Sequence, residues 1–170
     1  MRLIRSRKDV DWSRYLEPGD FDYLDGTIED GAWYPTSTYE RYGLAILHQV
    51  ALGSVAMVRT WGRFQVDAML RVQPGLIAHD DPRESLMRVV VHRKGFFDYD
   101  VLTVLGVLDD HARFQLSYRM CDVAELAACA QTTGALEEIT RRAGGMDVKA
   151  GFMERTWEGD SRTVLEIRWS

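Results

Sequence analysis

The first half of the chain carries apolar residues at intervals of three to four, a spacing typical of amphipathic helices. One such stripe starts at Tyr39, and Ser37 and Glu40 predict a capping box at the start of this helix. A second stripe predicts a helix over residues 55–72. We expect its inward face to consist of Val55, Val58, Trp61, Ala68 and Val72.

A third helix is predicted at residues 82–93, because Asp81 can cap its first turn and Pro82 suits its first position. The run Val89 to Val91 also has β character and could instead open a strand. Residues 1–32 lack a sustained period, so we expect an N-terminal arm there, followed by a single domain at residues 33–170. The arm is expected to pack through Trp12, Tyr15, Phe21 and Tyr23.

The second half of the chain alternates apolar and polar residues, as half-buried strands do. Between two such regions, Asp122 and Glu125 predict another capping box and a helix start. The predicted elements are a hairpin of strands 101–108 and 113–118, a helix at 122–143, and a hairpin of strands 148–157 and 162–169. Together they predict an α+β fold, a helical layer packed on a four-stranded antiparallel sheet in the order ααα-ββ-α-ββ.

The chain resembles known proteins in this order of elements and in three segments of sequence. These segments are Leu-Ser-Tyr-Arg at 116–119, Gly-Ala-Leu-Glu at 134–137 and the ending at 164–169. The chain resembles the superfamily of heme-nitric-oxide-binding sensor domains, 4-vinyl-reductase-type domains and TRAPP trafficking subunits. Trp-Tyr-Pro at 33–35 and Ile-Arg-Trp at 167–169 are similar to a myxobacterial paralogous family of unknown function related to it. The resemblance implies a domain that binds small or apolar ligands, or other copies of the fold, between helices and sheet.

Heme is possible on this resemblance but is not favoured. The heme-binding relatives carry a tyrosine, a serine and an arginine at alternating positions after the second strand, whereas Ser117, Tyr118 and Arg119 are consecutive here. Those relatives also need a proximal histidine on a helix before the hairpin. Neither His48 nor His92 stands in a local context that identifies it as that ligand.

Charge and hydropathy narrow the classes of partner. The net charge is -5 and no basic stripe follows the N-terminal cluster of Arg and Lys, so we expect no nucleic-acid partner. No apolar run approaches the about 20 residues that a membrane span needs. The first residues lack the apolar region of a secretion signal, and we therefore expect a cytoplasmic protein.

No known catalytic motif occurs in the chain, so we expect neither catalytic residues nor enzyme activity. Cys121 precedes a predicted helix, where a thiol can become a nucleophile, but a cysteine in this position is more often simply buried. Asp98 and Asp100 could form a carboxylate pair, and solvation at a strand edge explains them too. No group of residues has the spacing of a metal site.

Aromatic residues are concentrated in the helical half, beyond what a plain core of this size needs. They predict a non-enzymatic sensor or adaptor domain, a homodimer through its helical face, that binds a small apolar ligand between its first two helices and the sheet. The alternative is a protein-interaction module without a ligand. The predicted binding residues are Trp33, Tyr34, Tyr39, Tyr42, Trp61, Phe64, Phe97 and Tyr118.

Overall fold

A computed structural model describes residues 2–27, 32–94 and 96–170. The chain forms two compact units, Met1–Val55 and Ala56–Ser170. The predicted end of the N-terminal arm, at residue 32, falls inside the first unit, and residues 28–31 of that arm lie outside the described part of the chain.

The first unit is helical. It contains α1 (Arg2–Ser6), a 3₁₀ turn at Trp12–Arg14, α2 (Pro18–Asp25) and α3 (Thr36–Gln49). Its core consists of Ile4, Trp12, Leu16, Leu24, Tyr42 and Ala45. The short helices α1 and α2 were not predicted, because one or two turns leave too few apolar positions to establish a period.

A buried carboxylate joins α2 to α3. Asp20 is 1% exposed and accepts hydrogen bonds from Arg41 Nε at 2.6 Å and Nη2 at 2.8 Å. It also accepts from Thr38 Oγ1 at 2.7 Å and from the backbone N–H of Glu17 at 2.9 Å. The Arg41 guanidinium is the largest cause that lowers the pKa of Asp20 to about 2, against the opposing effect of burial.

The predicted capping box of Ser37 and Glu40 is wrong. Helix α3 begins two residues earlier than the box requires, with Pro35 at the N-cap and no capping hydrogen bond from a side chain. Ser37 therefore lies inside the first turn, where its side chain cannot take the N-cap role. The N–H groups of Thr38 and Tyr39 donate to the Pro35 carbonyl instead.

The second unit has the predicted α+β fold. Its helices are α4 (Val55–Val72), whose first residue belongs to the first unit, α5 (Pro82–Arg93) and α6 (Asp122–Arg142). Its strands are β1 (Leu102–Val107), β2 (His111–Leu116), β3 (Lys149–Glu154) and β4 (Thr163–Arg168), with short 3₁₀ turns at Pro74–Leu76 and Thr156–Glu158. The strands pair antiparallel in the order β1-β2-β4-β3, so the two predicted hairpins meet through β2 and β4.

One face of this sheet forms the main core. Phe114 pairs with Leu165 and Ala112 with Ile167, and all four side chains are fully buried. Leu136 and Ile139 of α6 belong to the same cluster, as do Leu86 and Val89 of α5. Burying a large apolar side chain contributes about 1.5–3 kcal/mol, so a strand that turned its apolar residues to water would lose this energy at every position. The alternating pattern of the strands therefore predicted this half of the fold correctly.

The caps predicted for α5 and α6 have different outcomes, since the first is confirmed and the second is wrong. Asp81 caps α5 as predicted, since its carboxylate accepts from the Glu84 N–H at 2.9 Å. The valine run lies within α5, so the alternative of a strand there is wrong. The capping box predicted for α6 is also wrong, because Cys121 occupies the N-cap and Glu125 points into the protein, 6% exposed.

Candidate functional site

The buried face of helix α4 shares only Val58 with the predicted inward face. Its buried residues are Val58, Gly62 and Val66, whereas Ala68 is exposed and Val72 is 79% exposed. Helix α4 carries two apolar stripes with the same spacing. A glycine decides which of them faces inward, and a hydrophobicity pattern gives no weight to a glycine. The predicted inward face is therefore confirmed at Val58 and wrong at Ala68 and Val72, while Val55 and Trp61 are half-buried.

Gly62 is buried because α4 crosses α6 in close contact. A Cβ added at Gly62 would stand 1.9 Å from the carbonyl oxygen of Gln131, and one added at Gly134 would stand 1.9 Å from that of Arg59. An ion network fixes the same crossing, in which Glu137 is 4% exposed and accepts from Arg59 and Arg63. Backbone packing and a buried carboxylate thus set which face α4 turns inward.

This crossing leaves the other apolar stripe of α4 on the surface. We call Met57, Trp61, Phe64, Ala68 and Val72 the α4 stripe. Its members recur every three to four residues, which places them on one side of the helix. Phe64 is 69% exposed and Met57 is 40% exposed. A row of large apolar side chains in water is the feature that marks an interaction site on a folded domain.

Four of the predicted binding residues lie in the first unit. Trp33 is 66% exposed and Tyr39 is exposed, whereas Tyr34 is half-buried with its ring edge-on to that of Tyr23. Tyr42 lies in the core of this unit, and its hydroxyl donates to the Asp20 carbonyl. Burial raises the pKa of Tyr42 to about 12.

The other four predicted residues lie in the second unit, and Tyr118 is the centre of a polar network there. Its side chain is 1% exposed, and its hydroxyl bonds to Thr132 and accepts from Arg93 Nη2 at 2.7 Å. Arg93 Nη1 also donates to Thr132 at 2.9 Å. Burial raises the pKa of Tyr118, so the phenol keeps its proton. The ring of Phe97 meets that of Tyr118 edge-on at 5.7 Å.

The segment after β2 is held by further contacts that sequence reasoning missed. The Glu125 carboxylate accepts from the N–H groups of Tyr118, at 2.7 Å, and Met120, at 3.1 Å. Tyr99 donates to the Tyr118 carbonyl, and the guanidinium of Arg119 lies over the Tyr99 ring at 4.3 Å. In the sequence, the capping-box pattern at 122–125 singled out Glu125 as a hydrogen-bonding residue. The pattern predicted the wrong backbone groups as its partners.

The residues considered for catalysis are all exposed. Cys121 is exposed at the N-cap of α6, while Cys129 is buried within that helix and burial raises the pKa of its thiol. Asp98 and Asp100 are both exposed. Across residues 2–27, 32–94 and 96–170, no three His, Cys, Asp or Glu side chains are grouped as a metal ion requires, and no helix could span a membrane.

Two of the depressions on the described part of the second unit are open clefts. The larger, about 520 Å³, lies between α5 and β1, with Met87, Val104 and Val107 among its lining and charged residues around them. The smaller, about 200 Å³, lies beyond the end of β2 near Arg119 and Arg162. Tyr118, Phe97, Trp61 and Phe64 line neither of them.

The chain is similar in fold to H-NOX domains and to a TRAPP subunit, as the sequence resemblance suggested. The chain is similar to an H-NOX protein from S. oneidensis in the Fe(II)NO state, with TM-score 0.65 and 10% identity over 93% of this chain and 85% of that one. It is also similar to a mutant H-NOX from T. tengcongensis, with TM-score 0.61 and 13% identity over 96% of this chain and 91% of that one.

A third similar structure is trafficking protein particle complex subunit 3 from Naegleria fowleri, covalently bound to palmitic acid. Its TM-score is 0.51 and its identity is 11%, over 79% of this chain and 95% of that one. No known family profile matches the chain, and no curated protein sequence matches it. The similarity therefore concerns the fold alone, and the suspected myxobacterial family has no support from these comparisons.

The residues present do not fit the heme site that this fold implies. The hydroxyl of Tyr118 is buried and engaged by Thr132 and Arg93, so it does not reach a ligand carboxylate, and the Arg119 guanidinium lies on the Tyr99 ring. The His48 ring stacks on Tyr15 with 6.0 Å between centroids, and the His92 ring meets that of Phe96. The function proposed for this chain does not rest on heme.

Proposed function

We propose that the chain is a non-enzymatic sensor or adaptor domain that works by binding another protein molecule through the α4 stripe. The observation that carries this proposal is the exposure of Phe64 and Val72 on a helix whose opposite face is packed tightly against α6. A helix fixed in this way presents its outer side chains at defined positions, as an interaction surface requires.

Exposure of the α4 stripe to water has an energetic cost, and this cost favours the binding of a partner. Exposed single apolar residues are normal, but an aligned row of them leaves apolar surface in water that binding would remove, at about 25 cal/mol per Å². Aromatic side chains, Phe and Trp among them, are also enriched at protein interfaces, and Trp is frequent among the residues that contribute most. Met57 adds a flexible side chain that can adapt to a partner.

The structural neighbours support an adaptor or sensor more than an enzyme. One is an H-NOX protein with nitric oxide on its iron, and another is a subunit of a trafficking complex. Only about a tenth of the residues of this chain are identical to those of either neighbour. The two neighbours therefore support a class of function for this chain by analogy of fold alone.

Site-specific photo-crosslinking in the native host tests this function. A photoreactive residue replaces Phe64, and the matched control carries it at Val91, a similarly exposed position on α5 outside the stripe. We expect a discrete protein adduct from position 64, to a second copy of the chain or to one other protein, and none from position 91. Equal or absent crosslinking at both positions would refute the proposal.

A second candidate function is the binding of a small apolar ligand, which the aromatic contacts around Tyr118 favour. Phe97, Tyr99 and Tyr118 form adjoining ring contacts at 5.5 and 5.7 Å, and Phe97 and Tyr99 are only half-buried. The trafficking subunit with bound palmitic acid supports the same chemistry. Native mass spectrometry of the chain incubated with palmitic acid tests it, with Phe97→Ala expected to reduce the bound fraction. Absence of a bound species, or binding indifferent to Phe97→Ala, would exclude this candidate.

A further inference from the structure

We infer that the outer face of the sheet binds an extended acidic segment of another protein, whose carboxylates at alternating positions are held by Arg113 and Arg168. This surface is separate from the α4 stripe, so the inference goes beyond the proposed function and does not rest on it. It is carried by a buried carboxylate, by the two guanidinium groups that this carboxylate holds in place, and by the open sheet on either side of them.

The outer face of the sheet is the face turned away from α5 and α6. Leu165 and Ile167 of β4 belong to the main core, so the alternation of a strand places Glu166 and Arg168 on the opposite face. Arg113 of β2 lies on this face too, because it pairs with Glu166. The side chains of Arg113 and Arg168 are 49% and 64% exposed, so both are open to solvent.

Glu166 holds the two guanidinium groups in place. Its carboxylate is 6% exposed and accepts from Arg113 Nε at 2.6 Å and from Arg168 Nε at 2.5 Å, one on each oxygen. The hydrogen bonds from Arg168 and Arg113 lower the pKa of Glu166, so the carboxylate stays ionised. Because both Nε atoms contact one carboxylate, they lie within about 7 Å of each other.

The contact with Glu166 uses only one N–H of each guanidinium. The terminal Nη groups of Arg113 and Arg168 make no hydrogen bond to the described part of the chain. A carboxylate is the planar acceptor that fits the N–H donors of a guanidinium. Carboxylates on alternate residues of an extended segment lie on one side, about 6.5–7 Å apart, so two of them can meet the two guanidinium groups together.

The charge of this face is opposite in sign to that of the whole chain. Lys149 adds a third cation to the two arginines, since it pairs with Arg168 in the register of β3 and β4. Beside these three cations lie the buried carboxylate and Asp110 at the rim, while Glu154 is paired with Arg162 at 2.8 Å. A positive face on a chain of net charge -5 favours an acidic partner, as clusters of arginine do in other recognition domains.

Two glycines leave the sheet open on either side of this ion pair. Gly106 of β1 pairs with Arg113, and Gly151 of β3 pairs with Glu166. Both glycines are exposed, and a Cβ added at either would meet no atom within 4 Å. The row that crosses all four strands therefore has no side chain at its two ends, and an extended segment can lie against the sheet there.

Fluorescence anisotropy with two labelled peptides tests the face and the spacing together. Both are heptapeptides of three glutamates and four threonines. The glutamates are two residues apart in the first peptide and three residues apart in the second. At about 20 mM salt, we expect the parent chain to bind the first peptide about threefold or more tightly, because only that spacing places neighbouring carboxylates on one side of an extended chain.

Replacement of the arginines identifies the binding groups. Arg113→Gln and Arg168→Gln should each weaken binding of the first peptide about threefold or more, and the double variant should weaken it about tenfold or more. Arg141→Gln on α6 is the matched control, since Arg141 is 48% exposed and is also paired with one glutamate, Glu138. It removes the same charge and should change binding by less than about twofold.

A charge-conserving variant keeps the test decisive if loss of the arginines unfolds the sheet. The double variant Arg113→Lys with Arg168→Lys keeps two cations beside Glu166 but lacks the planar set of donors. It should lose the preference for glutamates two residues apart. Circular dichroism confirms folding of each variant.

The outcomes that overturn the inference are specific. Absent or equal binding of the two peptides by the parent chain would do so, as would a double glutamine variant that binds as tightly as Arg141→Gln. Tighter binding of a single-stranded DNA of equal charge would assign the face to phosphates instead. Self-association of the parent that Arg113→Gln abolishes would assign it to a second copy. None of these readouts involves Phe64, so photo-crosslinking decides the proposed function separately.

Discussion

Gly62 of α4 and Gly134 of α6 each lie against the backbone of the opposite helix, so that a single carbon atom on either would overlap a carbonyl oxygen. The two positions are reciprocal, since Gly62 faces Gln131 on α6 and Gly134 faces Arg59 on α4. This contact sets the rotation of α4 about its axis, and with it the exposure of the α4 stripe.

Gly62→Ala should therefore lower the free energy of unfolding by about 3 kcal/mol, because both clashing atoms belong to helix backbone and cannot move aside. Gly43→Ala on α3 is the control, since a Cβ there meets no atom within 4 Å. That change should leave stability unaltered or raise it by about 0.5–1 kcal/mol through better helix propensity. Urea denaturation followed by tryptophan fluorescence measures both. Equal stability of Gly62→Ala and the parent would show that the helices are not in this contact.

Asp20 should make the first unit sensitive to acid. Its pKa in the folded chain is about 2, below its ordinary value of 3.8, so the unfolded chain takes up the proton more readily. The stabilisation is present above about pH 4 and is lost as the pH falls towards 2, a difference of about 2 kcal/mol. Asp20→Asn should remove this dependence, and Asp25→Asn, at an exposed position of the same helix, should keep it. Unfolding curves from pH 5 to pH 2 that are parallel for Asp20→Asn and the parent would contradict the assignment.

Tyr118→Phe should destabilise the second unit by about 1–3 kcal/mol, because Thr132 and Arg93 lose a buried hydroxyl partner. A double-mutant cycle with Thr132→Val isolates the contact between the two hydroxyl groups. The double variant should cost less than the sum of the single variants, since each single change leaves the other hydroxyl without its partner. Strict additivity would show that the two groups do not interact.

The sheet and α5 could be predicted from the sequence because their signals are local. Alternation along β2 and β4 reflects burial of one sheet face, and the cap at Asp81 depends only on the next three residues. Helices α1 and α2 could not be predicted, since short helices depend on contacts such as that of Asp20 with Arg41, far apart in sequence.

The candidate site was only partly accessible from the sequence. Phe64 and Trp61 were among the predicted binding residues, yet the stripe to which they belong was expected to face inward at Trp61, Ala68 and Val72. A periodicity argument cannot distinguish between two apolar stripes on one helix. The choice between them depends on the contact of Gly62 with α6. Glu125 likewise has a cap-like position, whereas its actual partners are fixed by the tertiary fold.

The most direct measurement for the central claim is the unfolding free energy of Phe64→Ser, taken at concentrations where the chain is monomeric. If the α4 stripe is a binding surface on an independently stable domain, the free energy of unfolding should stay within about 0.5 kcal/mol of the parent. A loss of about 3 kcal/mol or more, as for a phenylalanine removed from a core, would place Phe64 in the interior and contradict the account.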